Sequence, residues 1–339
     1  MIAMMSNALL WTAAAAAIAS GGLVMVLLPI LKRLALAAPN ARSSHRIATP
    51  QGGGIAVIAA TIVTSAAVVT ISAHSAVDLT SLWMLFAATA FVALVGAVDD
   101  IRPIEVLPRL VLQALAVGVA IASLPSEVRI VPLLPWWIER ALVLLAGLWF
   151  VNLTNFMDGI DWMTVAEFVP MTAGLALLGW FGALPAEGLI VAIALCGALI
   201  GFAPFNRPVA RIFLGDVGSL PIGLLIGWLL LLLASNGHLA AAAILPLYYL
   251  ADATVTLLRR IANREPFWRA HRSHFYQQAT DHGFSVPQIV GRVFAVNLIL
   301  FALAAATVLW PGRLNSVIAL GCGAALVAWL LYVFARGKP

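Results

Sequence analysis

LLWTAAAAAIASGGLVMVLLPILKR (9–33) runs 23 residues without a charge and closes on Lys32-Arg33. A transmembrane helix needs about 20 predominantly apolar residues, and cations collect on the cytoplasmic side of such a helix. The stretch is therefore expected to be a first span entering the cytoplasm. No basic segment precedes it, so it is not expected to be a cleaved signal peptide.

The rest of the chain repeats the pattern. Of 339 residues, 63% are hydrophobic and 10% charged, against roughly 25% charged in soluble domains. The apolar runs are too long and too continuous for barrel strands, which alternate and extend about ten residues. The expected fold is all-α: a polytopic membrane helical bundle of about eleven transmembrane helices. The runs lie near 9–31, 53–73, 79–98, 109–124, 137–157, 164–183, 187–204, 218–235, 239–259, 287–309 and 314–335. Residues 1–339 read as a single integral-membrane domain, with no repeat and no second unit. Cys196 and Cys322 both lie in apolar runs and are read as small buried hydrophobes.

Charge placement orients the bundle. With the N-terminus outside, sixteen of the 19 Lys and Arg residues fall on the cytoplasmic side, leaving Arg129, Arg140 and Arg313 outside. This is a positive-inside bias, and it puts the C-terminus in the cytoplasm. Basic residues confined to short loops between spans exclude nucleic acid as the expected partner. The same threading makes the segments 32–52, 99–108, 158–163, 205–217 and 260–286 cytoplasmic, so chemistry is expected there.

The acids gather in those segments. Asp99-Asp100 ends a run, Asn155, Asp158 and Asp161 follow at intervals of three, and Asp216 lies in Phe-Leu-Gly-Asp-Val-Gly-Ser (213–219). A carboxylate at the edge of hydrocarbon is costly unless a cation or a wet cavity receives it. Three clusters on one face point to a shared site for a divalent cation and phosphates. The Asp99-Asp100 pair can hold a cation and accept a proton, or be an ordinary solvated helix end. Asn155, Asp158 and Asp161 would share one face if helical, where capping alone needs only one of them. Glycines around Asp216 would let backbone amides reach a phosphate; Asn206 and Arg207 lie nearby.

Two basic loops complete the set. Arg42, His45 and Arg46 precede the triple glycine 52–54, a stretch that can approach a phosphate or serve as a hinge. His271, Arg272 and His274 lie in a loop rich in arginine. They suit a phosphate clamp and equally a patch against anionic lipid. Asp252 falls inside an apolar run and is read as half of an ion pair with an arginine.

Taken in order, these motifs resemble the polyprenyl-phosphate N-acetylhexosamine-1-phosphate transferases over about residues 40–284. The segments that carry the resemblance are Arg-Ser-x-His with Pro-x-Gly-Gly-Gly, Asp99-Asp100, Asn-Phe-Met-Asp-Gly-Ile-Asp, Phe-Leu-Gly-Asp-Val-Gly-Ser, an intramembrane Asp before Arg-Arg, and the His loop. Asp-Asp-Ile-Arg-Pro and His-Arg-Ser-His-Phe-Tyr-Gln depart from the peptidoglycan branch. They look more like the branch that initiates O-antigen and related glycans with GlcNAc-1-phosphate. Trp162 stands where the family usually has glycine, and Gln51 where it often has a basic residue.

The resemblance implies a multi-pass protein of the bacterial inner membrane with its active site facing the cytoplasm. It implies transfer of an N-acetylated amino-sugar 1-phosphate from a UDP-sugar (GlcNAc, QuiNAc or FucNAc type) to undecaprenyl phosphate, releasing UMP, with Mg²⁺ or alternatively Mn²⁺ as cofactor. Asp216 would be the principal metal ligand, joined by Asp99, Asp100 and Asp158. Asp99, Asp100, Asp158 and Asp161 would be the catalytic set. His45, Asn155, Asn206, Arg207, His271, Arg272 and His274 would contact substrate. Membrane lipid surrounds such a protein, and a homodimer is compatible with it. The rival from another class, a transporter or lipid flippase, would place its acids mid-span within an inverted repeat.

Overall fold

The computed structural model describes residues 2–34, 36–37, 48–72, 78–124, 129–266 and 271–338. Its helices are α1 (Ile2–Leu34), α2 (Gly54–Ser72), α3 (Leu79–Ile101), α4 (Val106–Ala122), α5 (Trp136–Met157), α6 (Met163–Trp180) and α7 (Ala186–Asn206). There follow α8 (Asp216–Leu233), α9 (Leu239–Ile244), α10 (Leu247–Ala262), α11 (Phe275–Asp281), α12 (Val286–Leu309) and α13 (Arg313–Arg336). Two short strands, β1 (Leu36–Ala37) and β2 (Thr49–Pro50), pair antiparallel.

The protein is an all-α, multi-pass membrane protein. Among the described residues, nine helical stretches are long and apolar enough to cross a bilayer, where eleven were expected. The differences have local causes. The expected span at 109–124 is α4, a shorter apolar helix. The expected spans at 218–235 and 239–259 are not two clean rods. A kink at Asn236 and Gly237 joins α8 to α9, and Pro246, which cannot continue a helix, separates α9 from α10.

Helix α8 is the axis of the bundle. Every residue of it except Asp216, Gly227 and Leu231 is buried, and α2, α3 and α5 pack around it. Lipid tails are as apolar as leucine, so such contacts depend on close van der Waals fit and small residues rather than on expulsion of water. A Cβ on Gly54 would come within 2.1 Å of Gly218 Cα, and one on Gly96 within 2.3 Å of Asp216 O. These glycines bring α2 and α3 backbone-close to the start of α8. The outward faces carry large apolar side chains such as Trp11, Ile18, Leu94 and Val317. Cys196 is buried as expected. Cys322 is not: it is exposed on α13, among the apolar side chains of that outer helix.

Helix starts are capped in two ways. Some use local sequence: Asp78 accepts from Thr80 N and Ser81 N at the start of α3, and Ser285 with Gln288 forms a capping box at α12. Two others have no side-chain cap of their own. A carboxylate from elsewhere in the chain serves each: Asp100 of α3 for α8, and Asp252 of α10 for α11. The first turn of a helix leaves four amides without partners, and in a dry bundle water cannot supply them.

Candidate active site

The site forms where α3, α5 and α8 meet. Asp99 and Asp100 are in the last turn of α3, Asn155 in the last turn of α5, and Asp216 is the first residue of α8. Gly215, at φ +78, turns the chain into α8, and a Cβ there would sit 2.6 Å from Asp100 Oδ2. Only glycine meets both conditions. The turn is held from below by the triple glycine. Gly53 N donates to Phe213 O at 2.9 Å, Gly54 N to Leu214 O at 2.8 Å, and Phe213 N returns to Pro50 O at 2.8 Å. The 52–54 segment is thus a backbone brace for the Asp216 turn.

Asp100 accepts three hydrogen bonds. Its Oδ1 accepts from Asp216 N at 2.9 Å and its Oδ2 from Val217 N at 3.1 Å, and Gln51 Nε2 also donates to Oδ1. The amides at the start of α8, expected to face a phosphate, are therefore given to a carboxylate of this chain. Asp99 is tied less completely. Oδ1 accepts from Ile104 N at 2.6 Å, and Oδ2 pairs with Arg109 at 2.8 Å. The carboxyls of Asp99 and Asp216 lie within hydrogen-bonding reach of one another. Asn155 Nδ2 donates to Asp216 Oδ1 at 2.7 Å and contacts Ser219 Oγ at 2.9 Å, which fixes the Asp216 side chain.

The second cluster departs from one helical stripe. Helix α5 ends at Met157; Asp158 caps it at φ −86, ψ 51, and Asp161 follows in the turn to α6. Both Asp side chains thus lie outside the helix, and Gly159 between them is closely covered. A Cβ at 159 would meet Tyr276 Oη at 2.1 Å. Asp158 Oδ1 accepts from Thr164 at 2.5 Å. Burial, with the charges of Asp100 and Asp161 nearby, pushes its carboxyl up to about 7 despite that bond. Asp161 Oδ2 accepts from Ala210 N at 2.9 Å, joining this turn to the loop before α8. Trp162 sits at φ 64, a left-handed conformation that favours glycine. It is held there by Nε1 to Ala203 O at 2.6 Å and by its own amide to Asn206 Oδ1 at 2.8 Å. Asn206, in turn, donates to Ile212 O at 3.0 Å and is buried.

The histidine loop closes over the α5 end. Tyr276 Oη donates to Phe156 O at 3.0 Å. His274 is buried, and His271 stacks on it with centroids 5.0 Å apart and planes at 29°. Arg272 is turned onto α11, bonded to Thr280 at 3.2 Å and to Asp281 at 3.3 Å. Arg207 is exposed where α7 ends. His45, with Arg42 and Arg46, lies outside the described residues.

Of the expected site residues, Asp99, Asp100, Asn155, Asp158 and Asp216 come together. Asp161 and Asn206 brace the adjoining loops, and His271 and His274 stand at the edge. Among the described residues, no three His, Cys, Asp or Glu side chains form a ready metal cage. In the expected set of Asp216, Asp99, Asp100 and Asp158, two members already carry bonds within the chain. Asp100 is bonded to the first amides of α8, and Asp158 to Thr164. The approach of Asp99 to Asp216 still fits Mg²⁺, which takes one or two carboxylates and leaves its other positions to water and substrate phosphate. Sequence reading missed Gln51 as partner of Asp100, and also Arg109, Thr164 and Tyr276. Only Arg109, a cation one turn inside an apolar run, gave a usable signal.

Residues 82–234, which carry all three acid clusters, match the model of glycosyl transferase family 4. The chain is similar to that family over this stretch. It is 26% identical over 305 residues to a Bacillus subtilis (strain 168) protein named probable undecaprenyl-phosphate N-acetylglucosaminyl 1-phosphate transferase, covering 83% of this chain and 82% of the relative. A phospho-N-acetylmuramoyl-pentapeptide-transferase of Desulfotalea psychrophila is 27% identical over 266 residues, 67% of this chain and 72% of the relative. The corresponding protein of Psychrobacter cryohalolentis matches over a shorter stretch, 26% identical across 45% of its length. These similarities support a phospho-sugar transferase of the polyprenyl-phosphate hexosamine-1-phosphate type.

Proposed function

We propose that this transferase moves an N-acetylated amino-sugar 1-phosphate from a UDP-sugar to undecaprenyl phosphate and releases UMP. It would act at the cytoplasmic face of a bacterial inner membrane, at the start of O-antigen or a related lipid-linked glycan. The observation that carries this is the pairing of the Asp99 and Asp216 carboxyls at the start of α8, with Asn155 fixing one of them. Two acids left against each other at a helix end suit a cation that in turn holds a diphosphate. The sugar is proposed from the His loop sequence, with GlcNAc, QuiNAc and FucNAc types as the panel.

Asp99 and Asp216 would hold Mg²⁺, or Mn²⁺ in its place, and the cation would neutralise the diphosphate as charge shifts to the leaving UMP. Asn155 keeps the Asp216 carboxylate aimed. Asp100 keeps the start of α8 where Asp216 needs it. His271, at the edge of the loop, donates to the donor diphosphate. The lipid phosphate attacks the phosphorus that carries the sugar, and the bond to UMP breaks. Phosphoryl transfer depends on positioning and charge stabilisation more than on covalent chemistry, so direct attack is favoured over an aspartyl intermediate. The clustering of acids at helix ends supports this reading over a transporter.

The test is purified protein with Mg²⁺, undecaprenyl phosphate and a panel of UDP-N-acetyl sugars, with UMP measured. Release of UMP with one sugar is expected. A folded sample that releases none from any sugar would refute the activity.

A further inference from the structure

Asp252 is an acid that the proposed reaction leaves unused. It lies on α10 with no exposed surface, and its partners are not the arginines expected from sequence. Oδ1 accepts from Phe275 N at 3.0 Å and faces His274 Nδ1 at 3.2 Å; Oδ2 accepts from Tyr276 N at 3.2 Å. The hydroxyls of Tyr248 and Thr256 stand 3.4 Å away. Arg259 and Arg260 instead grip the loop backbone, at Ser273 O and Pro266 O.

The arrangement does more than cap a helix. Capping α11 requires an acceptor for its first amides. Asp252 also engages the δ nitrogen of a buried imidazole, and a carboxylate there fixes ring orientation and tautomer. The His274 ring is then held on further sides. Tyr276 stacks at 5.8 Å and 24°, and Phe156, next to Asn155, lies at 6.4 Å and 32°. His271 stacks on the remaining side and is half-buried, with Nδ1 2.8 Å from Ser273 Oγ.

We infer that Asp252 and His274 form a buried positioning pair: Asp252 sets the His274 ring, and that ring is the floor on which His271 is held toward the donor diphosphate. This rests on the proposed function, and it separates two histidines that the sequence made equivalent. His271 meets the ligand; Asp252 and His274 act through it.

The experiment uses the full-length protein in detergent with Mg²⁺, and UDP as the binding probe. Calorimetric UDP affinity, kcat and KM for UMP release, and melting temperature are measured for Asp252→Asn, His274→Gln, His271→Ala and the double variant Asp252→Asn/His271→Ala. Asparagine keeps the size of Asp252 and one acceptor oxygen. Asp252→Asn alone is expected to weaken UDP binding about tenfold, and less than about twofold further in the His271→Ala background. If the losses multiply, or if Asp252→Asn binds UDP like the parent, the pair does not act through His271 and the inference is overturned. Should Asp252→Asn not fold, His274→Gln with His271→Ala completes the same cycle with the same criterion. A parent protein that binds UDP and shows the coupling but releases no UMP sinks the proposed reaction and leaves the positioning pair standing. A parent that binds no UDP overturns the inference itself.

Discussion

Asp100→Asn separates two roles that the sequence could not distinguish. If Asp100 is a chemical base, the substitution removes turnover and leaves the fold untouched. The geometry says otherwise: Oδ1 takes Asp216 N and Gln51, and Oδ2 takes Val217 N. Asparagine keeps one acceptor and turns the other position into a donor facing a donor, either an α8 amide or the Gln51 amide. One charge-assisted bond at a helix start is worth about 1.5–3 kcal/mol, and the favourable meeting of a negative charge with the helix N-terminus about 0.3–1 kcal/mol more. The loss is therefore about 2–4 kcal/mol, about 30-fold or more in the folding equilibrium. Thermal unfolding in detergent, followed by the fluorescence of the tryptophans, should show a clearly lowered midpoint for Asp100→Asn. Asp99→Asn should lower the midpoint as well: an asparagine oxygen can still accept from Ile104 N, but the charge that pairs with Arg109 is lost. Activity should fall in both. An Asp100→Asn protein with a parental melting midpoint and no UMP release would refute the capping argument and restore Asp100 as a base.

Asp216→Asn should abolish UMP release at saturating Mg²⁺ while expression and melting temperature stay near the parent, since Asn155 can still bond an asparagine oxygen. Gly159→Ala should cost more than Tyr276→Phe. The first drives a methyl against Tyr276 Oη, 2.1 Å from the Cβ position, whereas the second removes one hydrogen bond, worth about 1 kcal/mol; both are read by melting temperature and by KM for the UDP-sugar. A reporter fused after Lys338 should read as cytoplasmic, and an external signal would break the proposed orientation.

Much of the fold was legible because lipid imposes a length rule. Uncharged runs near twenty residues became helices, with α1, α2, α3, α5, α6, α7, α12 and α13 at nearly the expected positions. The 239–259 run misled because hydropathy is blind to Pro246, which splits it without changing its apolar character. The site was legible as residue types and only partly as roles. Acids at helix ends announced a shared location. Which oxygen serves the chain and which is left for a ligand depends on amides contributed by distant helices, and sequence spacing does not carry that. Asp99 and Asp100 are neighbours, yet one meets Asp216's carboxyl and the other its backbone N–H. Trp162 shows the same limit, since neither its left-handed φ nor its bond to Ala203 O can be read from the letters.

The remote caps explain why so apolar a chain retains these particular acids. Asp100 and Asp252 each meet the exposed amides of a helix that starts inside the bundle or at its edge. At such a start the amides need an acceptor and the carboxylate needs a positive field, so one contact meets two desolvation costs. Helix α8 begins against Asp100 and helix α11 against Asp252, and these two starts carry Asp216 and the His271–His274 pair. The capping acids thus fix the two halves of the candidate site relative to α3 and α10. Glu167 on α6 is used differently: its Oε2 accepts from Asn297 of α12 at 2.6 Å, tying two spans together. The acids nearest the ligand can be few because the others hold the helices that present them.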